Sequence, residues 1–167
     1  RTDKGSEIIV VVGGNAIIVR ENSELTLGGF FDSAKRPILN ALRLLAGKLL
    51  SVSRNTRINF NTPTANVGIR GTGWYAESEP ERTYFCTCYG VTDVASSVDP
   101  REQETVAATH HDRPLYILSK PVNGNRIVRA PFINHTDQEL MLIEALVGRS
   151  PPFIFSNDAY DRPRRDY

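Results

Sequence analysis

The chain has 167 residues, 40% of them hydrophobic, and 20 lysines and arginines against 19 acidic residues give a formal net charge of +1. That length can bury one substantial core, while so even a charge balance supplies no field to gather a phosphate backbone, so no nucleic-acid partner is expected. No run reaches the roughly 20 apolar residues of a spanning helix, because Ile8–Val19 is broken by Gly13, Gly14 and Asn15, and no transmembrane segment is expected. The start at Arg1 fits a processed chain and a trimmed one alike.

The β-branched run Ile8–Val12 and the segment Ala16–Arg20 read as strands around a Gly13-Gly14-Asn15 turn, followed by Leu25–Leu27 and Gly28-Gly29. Pro37–Leu50 is ambiguous. Leu39, Leu42, Leu45 and Leu49 have helical spacing, whereas a break at Ala46-Gly47 would leave two strands, the second at Lys48–Val52. Strands are expected again at Ala65–Arg70, Trp74–Ser78, Thr83–Tyr89 and Val91–Ala95, and then near Thr105–Thr109 and Leu115–Leu118.

One helix is clearly marked. Thr136 and Glu139 form a capping box, Leu140, Ile143, Leu146 and Val147 make an apolar stripe, and Gly148 stands where a left-handed cap is wanted. The prolines and arginines after Ser150 read as an extended tail, with Phe153, Ile154 and Phe155 too apolar for a free linker and expected to dock on the body or on a partner. The organisation expected is a β body over residues 1–95, a β/α extension over 96–149 whose helix at 136–147 packs on that body, and a tail over 150–167.

Within Asn61–Ala95, residues Thr62, Pro63, Ala65, Val67, Arg70, Gly71, Thr72, Gly90, Val91 and Val94 match a pattern of Thr-Pro-x-Ala, Val-x-x-Arg-Gly-Thr and a late glycine before another Val-x-Val. This resembles the FecR domain, the periplasmic part of the ferric-citrate regulator family. Leu44–Leu49 resembles that family's Leu-x-x-Gly-x-Leu strand pair, which favours strands over a helix at Pro37–Leu50. The resemblance covers roughly the first hundred residues.

It implies a mainly β fold of stacked short strands, β-helical or sandwich-like, with a periplasmic or secreted bacterial location and a binding or signalling role without enzymatic residues. The anti-sigma segment and membrane helix of signalling members are not matched here, so a stand-alone adaptor, envelope component or assembly subunit is expected. In the Val-x-x-Arg-Gly-Thr turn, Gly71 would make a tight corner and Arg70 would satisfy neighbouring carbonyls.

Cys86 and Cys88 are too few for a disulfide framework, and a bridge across one residue would be strained. Alternation on a strand puts both thiols on one face with Tyr84, roughly 7 Å apart, leaving Phe85, Thr87 and Tyr89 on the other. If the strand puckers, the pair could grip one ion together with His135 and either His110 or His111. Those donors suit zinc, iron including an iron–sulfur cluster, or copper. The plainer alternatives are buried apolar cysteines, solvated histidines, and His135 stapled against Leu140.

Three functions follow: a non-enzymatic binding or scaffold module with a protein partner or self-assembly through the 150–167 tail, a metalloprotein, and a cysteine-dependent enzyme. The last would pair Cys86 or Cys88 with His110 or His111, with Asp112 to orient the base. Trp74 and Tyr75, as strand neighbours, are expected to divide between core and surface.

Overall fold

The computed structural model describes residues 1–53 and 57–155. Ten strands join one sheet: β1 (Ile8–Val12), β2 (Asn15–Val19), β3 (Glu24–Phe31), β4 (Pro37–Val52), β5 (Arg57–Asn61), β6 (Ala65–Glu79), β7 (Arg82–Ser96), β8 (Gln103–Ala108), β9 (Leu115–Val122) and β10 (Asn125–Arg129). Helix α1 (Asp137–Leu146) and a 3-10 turn at Pro152–Phe155 follow. The mainly β fold with one C-terminal helix is the one the sequence led us to expect.

The path through the sheet is β1-β2-β4-β5-β6-β7-β9-β10, with β3 added to β4 and β8 to β7. Among the described residues every ladder is antiparallel except β4–β5. Where short strands were expected, β4, β6 and β7 are 16, 15 and 15 residues long. Each changes partner or register partway along, so one long strand does the work of two short ones.

β4 shows how. Its residues 37–46 pair with β3, and its residues 47–52 pair with β6. The chain is not interrupted at Ala46-Gly47. It turns there, because Gly47 adopts φ +96° and lies so close to Ser23 that a Cβ would overlap it.

Both faces of the sheet are covered. Leu42, Leu49, Ile58, Phe60, Trp74, Phe85, Val106 and Ile117 come from six strands into one cluster, which requires the sheet to curl around them. Phe60, Trp74 and Phe85 form its aromatic centre, with ring centroids 4.6–6.0 Å apart. On the opposite face Ala16, Ile18, Leu50, Val52, Tyr75 and Tyr84 pack against Leu140 and Ile143 of α1. This explains why Trp74 and Tyr75 do not divide between core and surface: both are fully buried, one under each layer.

α1 begins as the sequence indicates. The Thr136 hydroxyl accepts from the Glu139 amide at 3.2 Å, and the Thr136 amide donates back to the Glu139 carboxylate at 2.8 Å. Arg20 on the end of β2 donates to Glu139 at 2.6 Å and holds the helix start over the sheet. The beginning of the tail is folded rather than extended, and Phe153 docks on the body beside Tyr89. Residues 156–167, on which the partner expectation for the tail rests, lie outside the described residues. No helix among the described residues is long and apolar enough to cross a membrane.

Candidate metal centre

Three elements converge on the helix-covered face. β7 supplies Cys86 and Cys88, the β8–β9 loop supplies His111, and the segment entering α1 supplies His135. One donor atom from each of these four residues lies within 4.8 Å of all the others. Both cysteines are fully buried free thiols, and His135 is 1% exposed.

Two sulfurs on a regular strand would sit roughly 7 Å apart. Here Trp74 pairs with Thr87 and Gly73 with Tyr89, which leaves Cys88 as the extra residue of a β-bulge. The bulge is the pucker that draws the thiols together. It also turns Tyr89 onto the same face as Cys88, correcting the simple alternation that placed Tyr89 opposite. The Cys88 carbonyl then accepts from the His111 amide at 2.9 Å, fastening the loop to the bulge.

His111 is held in an uncommon backbone conformation, φ +53°, for a residue with a side chain. The preceding turn is fixed by Asp112, whose carboxylate accepts from the Thr109 amide at 2.6 Å, the Thr109 hydroxyl at 2.8 Å and the His110 amide at 3.2 Å. Asp112 thus shapes the loop. It does not orient an imidazole; that acceptor is Asp137, the first residue of α1.

Each of the two histidines has one nitrogen committed. His135 Nδ1 donates to the Ile133 carbonyl at 2.7 Å, and its ring stacks on Tyr75 with centroids 4.4 Å apart. His111 Nε2 meets the Asp137 carboxylate at 3.0 Å. The remaining nitrogens, His135 Nε2 and His111 Nδ1, face each other at 3.2 Å. Two lone pairs at that distance repel unless a proton or a cation lies between them.

Two further edges are similar: Cys86 Sγ to His111 Nδ1 is 3.5 Å, and Cys88 Sγ to His135 Nε2 is 3.4 Å. A tetrahedral zinc ion with ordinary Zn–S and Zn–N bonds has ligand–ligand edges of about 3.3–3.8 Å. The committed nitrogens also supply the carbonyl and carboxylate support that zinc-ligating histidines normally have. A two-iron cluster with mixed ligands puts its histidines and its cysteines on different irons, which these close Cys–His pairs do not suit. A blue-copper site wants an axial methionine, and the chain's single methionine, Met141, is 37% exposed on α1.

The charges within the cluster are shared unevenly between its thiols and imidazoles. Burial raises the Cys86 thiol pKa, but donation from Cys88 and the two imidazoles outweighs burial and holds it well below its ordinary value. Cys88 is pushed up by burial and by its neighbour's charge. Burial disfavours protonated His111, yet Asp137 and Cys86 raise it to about 9. The Asp137 carboxyl is held low, its desolvation outweighed by hydrogen bonds from His110 and His111.

Of the residues singled out in the sequence, the structure unites Cys86, Cys88, His111 and His135. His110 is not with them: its Nε2 meets Asp137 at 2.9 Å. His135 points its ring into the donor cluster. Asp137 was not foreseen, since nothing in a helix-start aspartate announces two histidines from another loop. The series Cys86, His111 and Asp137 has the order of a nucleophile, base and orienter, with the sulfur fully buried. Arg70 pairs with Asp93 across β6–β7 rather than with neighbouring carbonyls.

No protein-family model matches the sequence, and no curated protein matches it. Among solved structures, two crystal structures from Parabacteroides distasonis, each described as a "putative anti-sigma factor", are similar in fold. One matches with a TM-score of 0.59 at 11% identity over 86% of this chain and 63% of that one. The other has a TM-score of 0.55 at 12% identity over 77% and 57%. This chain therefore spans less than two thirds of either, and at these identities what is shared is the fold.

Proposed function

We propose that this chain is a zinc-bound, non-catalytic binding module of the FecR-like kind, in which one ion on Cys86, Cys88, His111 and His135 fastens the C-terminal segment to the sheet. The observation that carries this is the convergence of one donor atom from each of the four residues within 4.8 Å of all the others, each histidine having its other nitrogen already engaged. Four protein donors leave no open position, so the ion is structural. It joins β7, the β8–β9 loop and the entry to α1, which are far apart in sequence.

The FecR-like pattern over Asn61–Ala95, with the fold likeness to the two Parabacteroides structures, supports a place in the bacterial periplasm or outside the cell and a protein partner. Elemental analysis of the natively purified chain tests the metal reading, with one zinc per chain expected. Cobalt substitution should give the intense thiolate-to-cobalt absorption of a tetrahedral sulfur site. A metal-free protein that binds neither ion would overturn it. The binding role is tested by capture of envelope proteins on the immobilised chain, and a chain that retains none counts against it.

A further inference from the structure

The His111 ring belongs to two groups of donors through its opposite nitrogens. Nδ1 faces Cys86 and His135, while Nε2 faces Asp137, whose carboxylate also meets His110 Nε2 at 2.9 and 3.0 Å. Donor atoms of His110, His111 and Asp137 again lie within 4.8 Å of one another. Unlike the inner set, this one reaches solvent: the His110 and Asp137 side chains are 30% and 37% exposed.

We propose that His110, His111 and Asp137 form a second divalent-cation position, bridged to the inner zinc by the imidazole of His111; this rests on the zinc reading above. Two imidazole nitrogens and one carboxylate oxygen, with water completing the sphere, suit a tetragonal ion of the copper(II) or nickel(II) class. Charge permits the pair. Two thiolates neutralise the inner ion, so the outer cation meets the negative Asp137 without a net positive neighbour. On binding, the proton on His111 Nε2 leaves to solvent, the ring becomes a bridging ligand, and no redox change is involved. His110 is held for the role against Phe153 and the His111 ring, with centroids 4.6 and 4.8 Å away.

The test is nickel titration of the untagged, zinc-loaded chain, following nickel and zinc content, released zinc and nickel-thiolate absorption. One nickel should bind beside the retained zinc, without thiolate bands. His110→Ala should weaken nickel at least about tenfold while leaving zinc content unchanged. The proposal is overturned if wild type takes no nickel, if His110→Ala takes it equally well, or if nickel binds by expelling zinc onto the thiolates. A chain that holds no zinc yet takes nickel in a His110-dependent way would refute the inner site and sustain the outer one.

Discussion

His111 Nδ1 lies 3.2 Å from His135 Nε2 across a space also bounded by the two cysteine sulfurs. A cation there takes the place of the proton that His111, raised to about 9, shares with His135 Nε2, and an ion that binds only the folded chain stabilises it by mass action. At a free zinc concentration about a hundredfold above Kd the gain is about 2.7 kcal/mol, or roughly 5–10 °C in Tm for a chain of this size. Chelation should lower Tm by that amount, and zinc should restore it. His135→Ala should melt at a temperature insensitive to either. Thermal unfolding followed by circular dichroism checks both.

Asp137 fixes the His111 tautomer and ring plane, so Asp137→Asn should keep the fold and weaken zinc about 10- to 100-fold. The Thr136–Glu139 cap is untouched, and an asparagine can still meet an imidazole, but without the charge. Competition against a chromophoric chelator measures the change, with Asp112→Asn as the comparison. Because Asp112 serves the loop turn and no imidazole, its effect on affinity should be the smaller of the two.

Some of this was legible in the sequence and some was not, for identifiable reasons. The paired thiols and the capping box were visible because both depend on neighbours along the chain. The leucines of β4 imitate a helix because bulges at Asn40 and Leu45 each shift the inward parity by one, so that Leu39, Leu42 and Leu49 can share the core. Hairpin β9–β10 carried its own signal in Asn123-Gly124, both at positive φ, but Pro121 and the polar residues around it concealed the strand. Asp137 could not be read at all, since its role exists only once α1 and the β8–β9 loop meet.

The cap itself is testable apart from the metal. Thr136→Ala removes the hydroxyl that accepts from the Glu139 amide and should cost about 1 kcal/mol, while Thr136→Ser restores most of it. Since Glu139 also receives Arg20, the alanine variant loosens the helix start that aims His135. Urea unfolding of the zinc-free forms isolates the cap contribution.

On the sheet surface, Arg70 and then the Thr105 hydroxyl, at 2.8 Å, hold the Asp93 carboxyl below its ordinary value. A depressed carboxylate contributes stability above its unfolded pKa, near 3.9, and loses it as pH falls through the lower folded value. With the side chains 50% and 39% exposed, solvent screens the pair to less than about 1 kcal/mol. The stability difference between wild type and Asp93→Asn should therefore shrink as pH drops from about 6 to about 3, and should shrink at neutral pH in high salt. A difference constant across that range would show that Asp93 acts by shape alone.

The bulge at Cys88 depends on Gly90, which adopts φ +91° where a Cβ would lie 2.6 Å from Thr72 Cγ2 and 3.0 Å from the Gly71 carbonyl oxygen. Neither neighbour can yield, because Thr72 is fully buried and the Gly71 carbonyl is backbone. Gly90→Ala should destabilise the chain by about 1–3 kcal/mol, and the strain falls where β7 must set Cys88 against Cys86. Zinc affinity should fall with it. Phe85→Ala, which opens the aromatic core on the other face at a cost of about 3–5 kcal/mol, should unfold more easily yet bind zinc nearly as wild type does while folded. Affinity and stability measured on both variants separate the two effects, and equal zinc binding by Gly90→Ala and wild type would show that the bulge does not set the sulfur spacing.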